Sequence, residues 1–144
     1  MPKTLLSVTC IALLAIALLA ALRATAADRP ADKKDRLFEL RTYTAVDGKL
    51  DAVLARFRDH TNALFIKHGM TPVAYWTPTE GDLAKNTLVY VLAYPDKAAR
   101  DKAWADFQAD PDWIKAKADS EKDGKIVDKV VSVFIKPADF SPLK

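Results

Sequence analysis

Apolar and polar residues alternate with period two over residues 37–45 (LFELRTYTA), which predicts a β-strand. After Gly48 the period changes. Over residues 49–67, Leu50, Val53, Leu54, Phe57, Thr61, Leu64 and Phe65, then His68, recur at 3.6-residue spacing with no internal Gly or Pro. That spacing predicts an amphipathic helix, and Gly69 stands where a C-cap glycine belongs. Residues 70–79 (MTPVAYWTPT) read as a second strand, with Pro72 and Pro78 better suited to an edge or to strand ends. Residues 81–86 are a turn, and residues 87–94 (TLVYVLAY) carry the strongest β pattern. A second helix is expected over residues 97–109, with Ala99, Ala103, Trp104 and Phe107 on one side as helix packing. Asp110-Pro111 interrupts it, and Asp110 can cap a further short helix carrying Trp113, Ile114 and Ala118. Gly124 ends that helix, and residues 126–136 form the last strand.

The predicted order is β-α-β-β-α-β, the ferredoxin-like arrangement of an α+β domain. Helices would cover one face of a four-stranded antiparallel sheet. The other face is expected to be polar if it meets water. It is not. Val89, Val91 and Ala93 oppose Leu88, Tyr90, Leu92 and Tyr94, while Val131, Val133 and Ile135 oppose Val130, Ser132 and Phe134. Two apolar faces point to a homodimer in which two sheets pack face to face.

The N-terminus changes the picture of charge and compartment. Residues 1–3 are a short basic start, residues 5–22 are an uncharged Leu/Ala run, and Ala24-Thr25-Ala26 offers small residues for a signal peptidase. Residues 1–26 are therefore read as a signal peptide cleaved after Ala26, with Ala27 as the alternative, and the product as periplasmic or secreted. An uncleaved anchor is the competing reading, since the run is at the short edge of the ~18–20 residues that span a bilayer. Cleavage removes Lys3, Arg23 and the single cysteine, Cys10, so the net charge falls from +3 to +1. The remaining chain has no basic excess for nucleic acid, no thiol or disulfide, and no membrane attachment once the signal is gone. Residues 27–36 read as a charged flexible leader, residues 37–137 as the domain, and residues 138–144 as a tail.

An ordered series of residues resembles the NIPSNAP family. It runs from Phe38-Glu39-Leu40-Arg41-Thr42-Tyr43 through Gly48-Lys49-Leu50, Phe57, His60 and Lys67-His68-Gly69. It continues with Tyr75-Trp76-Thr77, Gly81, Asn86, Ala93-Tyr94, Arg100, Asp110-Pro111 and Trp113. The resemblance implies a dimeric α+β barrel. It implies no defined activity, because related barrels include cofactor-free monooxygenases, isomerase-like enzymes, haem proteins and plain ligand binders, and a shared fold does not choose among them.

Candidate chemistry is sparse. Glu39, Arg41 and Tyr43 share one face of the first strand at i, i+2 and i+4. With Phe38, Leu40 and Thr42 under the helices, this polar set would face the cavity between the sheets of a dimer. Arg41 can hold an anionic ligand through its planar fork, and Tyr43 can donate a hydrogen bond or a proton. Glu39 can act as a base, or merely neutralise Arg41 in a structural pair. His60, at the border of the apolar helix face, can act as a general base or a haem ligand, or be a plain surface or core histidine. His68, at the helix end, reads as structural. Trp76 and Tyr90 add aromatic lining for an apolar pocket, or plain core and interface packing. The two histidines, eight residues apart, are too far apart for one metal ion, and no phosphate-cradling glycine loop is present. No metal or other cofactor is expected. Three readings follow: a homodimeric binder of a small apolar or anionic molecule, either a plain binder or a cofactor-free enzyme; a structural or protein-interaction module with no ligand; and a haem-binding barrel protein using His60.

Overall fold

The structure is a computed structural model that describes residues 36–143. The expected signal peptide, Cys10 and all of the leader except Arg36 lie outside the described residues.

Strand β1 (Leu37–Ala45) leads to helix α1 (Leu50–Arg56), a π-helical turn (Phe57–Thr61) and helix α2 (Asn62–Lys67). Strand β2 (Thr71–Trp76) and a 3₁₀ turn (Asp82–Lys85) precede β3 (Thr87–Tyr94). Helices α3 (Lys97–Ala109) and α4 (Pro111–Ser120) then lead to β4 (Val127–Ile135). The sheet order is β2-β3-β1-β4, and all neighbours are antiparallel. This is the expected α+β, ferredoxin-like architecture. Local chemistry sets the boundaries. Gly69 turns the chain after α2 at φ +77°, a conformation that glycine adopts without Cβ strain. Asp96 caps α3 by accepting the Ala99 N–H at 2.9 Å. Asp110 breaks the helical path, accepts the Asp112 N–H at 2.8 Å, and hands over to Pro111 in the first turn of α4.

Register assigns the two faces. Arg41 lies opposite Tyr90 on β3 and Ser132 on β4, and Tyr75 of β2 lies opposite Tyr90. Glu39, Arg41 and Tyr43 therefore share a face with Leu88, Tyr90, Leu92 and Tyr94, and this is the face under the helices. Phe57 proves the point, with its ring 5.4 Å from Tyr43, 5.2 Å from Tyr90 and 6.0 Å from Tyr75. The expectation that Phe38, Leu40 and Thr42 would lie under the helices is reversed. The physical reason is volume. The Leu/Tyr row of β3 fills the deep layer between a sheet and helices, whereas the Val/Ala row is thin.

The thin face has no helix over it. Val131, Val133 and Ile135 remain 42%, 49% and 39% exposed, although Phe38 and Ala93 are buried. After β4 the chain comes back beside Phe38 and Trp76, where Pro137, Ser141 and Leu143 help to line a hollow of about 280 Å³. Among the described residues, no helix is long and apolar enough to cross a membrane.

Candidate functional site

Glu39 is fully buried at the centre of the helix-covered face. Its carboxylate accepts six hydrogen bonds. Oε1 takes Arg41 Nη1 at 2.6 Å, Arg100 Nη2 at 2.7 Å and the Ser132 hydroxyl at 2.6 Å. Oε2 takes Arg100 Nε at 3.0 Å, the Tyr94 hydroxyl at 2.9 Å and the Trp104 indole N–H at 3.2 Å. Burial alone would raise the Glu39 pKa, but hydrogen bonds from Arg100 and Ser132 and the charge of Arg41 lower it from 4.5 to about 2. Every lone pair is engaged and the proton affinity is low, so Glu39 is an anchor rather than a base. One carboxylate meets two guanidinium groups here, and Arg100 is also paired with Asp101 on its outer side, Nη1 to Oδ1 at 3.2 Å.

That anchor aims Arg41. Its Nε donates to the Tyr90 hydroxyl at 2.9 Å, its Nη1 is held by Glu39, and its guanidinium carbon lies 4.2 Å from the Trp104 ring centroid. Nη2 has no hydrogen-bond partner among the described residues, and the side chain is 12% exposed. Burial and the neighbouring Tyr43 push the Tyr90 hydroxyl well above its usual pKa, so it stays a neutral acceptor for Arg41.

Arg41 and Tyr43 form the floor of a cleft of about 620 Å³ between β1 and the helices. Phe65, Trp104, Phe107 and Trp113 wall it. Their packing is tight, with Phe65 5.0 Å from Phe107 and Phe107 4.5 Å from Trp113 between ring centroids. Lys117 and Glu121 of the α4 end also line it. Glu121 is paired with Arg56 at 2.9 Å, so it adds no uncompensated negative charge. At the other end of α4, Asp110 is held by Lys67 at 2.8 Å and by His68 Nε2 at 2.6 Å. Ion pairs thus pin both ends of the helix that roofs the cleft. The Lys67 and His68 contacts, with the Asp112 N–H, depress the Asp110 pKa well below the usual carboxylate range.

Of the residues singled out in the sequence, the structure brings Glu39, Arg41, Tyr43 and Tyr90 together. They lie between sheet and helices of one chain, not between two sheets. His60 is not with them. It is exposed on the outer surface beside Asp59, Asp112 and Lys115. The π-helical turn is the cause: its wide turn points Phe57 and Thr61 inward and Arg58, Asp59 and His60 outward. No histidine lines the cleft, so a haem reading through His60 has no ligand there. Trp76 lies on the opposite sheet face, 51% exposed at the end of the edge strand β2. Among the described residues, no group of three or more His, Cys, Asp or Glu side chains is arranged to hold a metal ion.

Sequence reasoning missed Arg100 and Ser132 as ligands of Glu39, and treated Trp104, Phe107 and Trp113 as packing alone. One signal was present. Arg100, Trp104 and Gln108 recur at four-residue spacing, which puts a cation, an indole N–H and an amide on one helix stripe.

A βαββαβ sheet with an aromatic cleft between sheet and helices defines the ferredoxin-like α+β barrel class of subunit. The NIPSNAP family profile matches residues 38–142, and the chain belongs to that family. Its fold is similar to a NIPSNAP family protein of unknown function from Agrobacterium tumefaciens, with 26% identity, TM-score 0.67, and 78% of this chain and 96% of that one covered. It is also similar to an uncharacterised NIPSNAP domain protein from Burkholderia xenovorans, with 27% identity, TM-score 0.62, and coverage of 74% and 98%. A second Agrobacterium tumefaciens NIPSNAP protein, 19% identical with TM-score 0.66 and coverage of 76% and 99%, shares the fold alone. No curated protein sequence matches the chain.

The Glu39 pKa is lower in the folded chain than its ordinary 4.5, so its contribution is fully present above that value and is lost as pH falls toward 2. A shift of that size corresponds to on the order of 3 kcal/mol at neutral pH. Urea unfolding at neutral pH should show Glu39→Gln less stable by about 3 kcal/mol, because two guanidinium groups lose their counter-charge. The variant's stability should also fall less than wild type between about pH 5 and pH 2. Parallel acid profiles for the two proteins would contradict this role.

Proposed function

We propose that this protein is an exported, homodimeric binder of a small, largely apolar anion, held in the cleft with Arg41 as its anchor. The observation that carries the reading is the state of Arg41. Its Nε and Nη1 bond Tyr90 and Glu39, Nη2 has no partner among the described residues, and the side chain lines an aromatic-walled cleft. A cleft of about 620 Å³ is of the size that takes small organic molecules. Lys117 in the cleft lining also favours a negative ligand.

Anilinonaphthalene sulfonate and its uncharged counterpart N-phenyl-1-naphthylamine test this, since both fluoresce in apolar sites and only the first carries the charge. The sulfonate should bind the wild-type protein more tightly. Arg41→Gln should weaken it about tenfold, or about 1.4 kcal/mol, and leave the neutral probe unchanged. Glu39 keeps Arg100, Ser132, Tyr94 and Trp104 in that variant, so the fold should persist, as a thermal melt would verify. Equal sulfonate binding by both proteins would remove the anchor.

The apolar face built by Val131, Val133, Ile135 and Trp76 supports dimerisation by sheet-to-sheet packing. Light scattering coupled to size exclusion should give twice the chain mass for wild type and a single chain mass for Val133→Asp, a charge placed in the middle of that face. A wild-type monomer at micromolar concentration would refute it. Export rests on the apolar run and the small residues before Ala27. Mass spectrometry of the natively expressed protein should find a chain that starts at Ala27, and an intact N-terminus on cytosolic protein would overturn the proposal.

A further inference from the structure

Lys117 departs from the pattern of the other lysines in α3 and α4. Lys97, Lys102 and Lys115 each pair with the aspartate four residues on, Asp101, Asp106 and Asp119. Lys117 also has an acid at that spacing, Glu121, but Arg56 holds its carboxylate at 2.9 Å. The Arg56 side chain is 3% exposed. A buried guanidinium stripped of its carboxylate costs far more than an exposed pair four residues apart returns, so Glu121 stays with Arg56. The Lys117 ammonium is left with no ion pair among the described residues, and it stands in the lining of the cleft at its exposed side.

A row of rings leads from Arg41 toward that lysine. The Trp104 ring lies 4.2 Å from the Arg41 guanidinium carbon and 5.6 Å from Phe107, and Phe107 lies 4.5 Å from Trp113. Lys117 follows Trp113 by four residues, on the same side of α4. The cleft thus has one cation on its sheet side and another on its helix side, with an aromatic wall between them. A ligand with one anionic group satisfies Arg41 and leaves Lys117 to water. A ligand with an anionic group at each end of a flat apolar body meets both and lies against the rings.

We propose that the cleft takes a flat aromatic molecule with an anionic group at each end, one held by Arg41 and the other by Lys117. The proposal rests on the ligand-binding reading of the same cleft. Gln108, whose amide has no hydrogen-bond partner among the described residues, adds a neutral donor to the same lining.

The test pairs naphthalene-2,6-dicarboxylate with 2-naphthoate, which share a ring system and differ by one carboxylate. Each is titrated calorimetrically at neutral pH and low salt into the full-length wild-type protein, Arg41→Gln and Lys117→Gln. Lys117 is exposed and unpaired, so its variant should fold as wild type does. The diacid should bind wild type more tightly than the monoacid. Lys117→Gln should weaken the diacid about fivefold, the upper end for a pair open to water, and leave the monoacid unchanged. Arg41→Gln should weaken both. Raising the ionic strength should shrink the Lys117 effect, because an exposed pair is screened. A diacid that binds wild type no more tightly than the monoacid would overturn the proposal, and so would a Lys117→Gln variant that binds both as wild type does or loses both alike. If the sulfonate probe binds through Arg41 and the diacid has no advantage, the two-ended ligand fails and the ligand-binding reading stands. If neither binds, both fail together.

Discussion

A single buried carboxylate sets the geometry of this domain. Glu39 lies between β1 and α3, where an ionised group without partners would cost several kcal/mol. It is tolerated because Arg41, Tyr94, Arg100, Trp104 and Ser132 converge on it. Those donors come from β1, β3, α3 and β4, so one side chain ties three strands to a helix. The same bonds remove the rotational freedom of Arg41 and place the Trp104 ring against it. The cleft inherits its orientation from this arrangement, which is why the anchor and the cleft are one design.

The helix-covered and open faces of the sheet divide the work. The covered face holds large side chains, an internal charge cluster and the cleft. The open face is thin and apolar, a Val, Ala and Ile surface with Phe38 and Trp76 on it, and suits packing against a flat apolar surface. Because Arg41 and Tyr43 point away from the open face, ligand binding and subunit packing would use different surfaces of the same four strands. A substitution on one face can therefore be read without disturbing the other, apart from shifts transmitted through the strands themselves.

Much of this was legible from periodicity. Period-two runs marked the strands and 3.6-residue spacing the helices between them, and the i, i+2, i+4 spacing put Glu39, Arg41 and Tyr43 on one face. Alternation alone could not say which face the helices cover, because both are apolar. Side-chain volume along β3 carries that information. The ligands of Glu39 were hidden for another reason: Arg100 and Ser132 lie 61 and 93 positions away, and only the strand register and the crossover of α3 bring them in. His60 was misplaced because a helix of constant period was assumed. The π-helical turn at Phe57–Thr61 has no mark in composition.

Those long separations have a kinetic side. Tyr94, Arg100, Trp104 and Ser132 stand 55 to 93 residues from Glu39 along the chain. Until β3, α3 and β4 have arrived, β1 cannot enter a dry core without a carboxylate that has only Arg41 of its own strand as partner. Its desolvation is thus tied to the completion of the whole topology rather than to any local hairpin. Contacts of this span are slow to form, since loop closure must precede the interactions that reward it. On that argument the carboxylate works as a checkpoint in assembly: a half-built sheet that lacks β3 and α3 leaves four of its six bonds unmade and stays open to water.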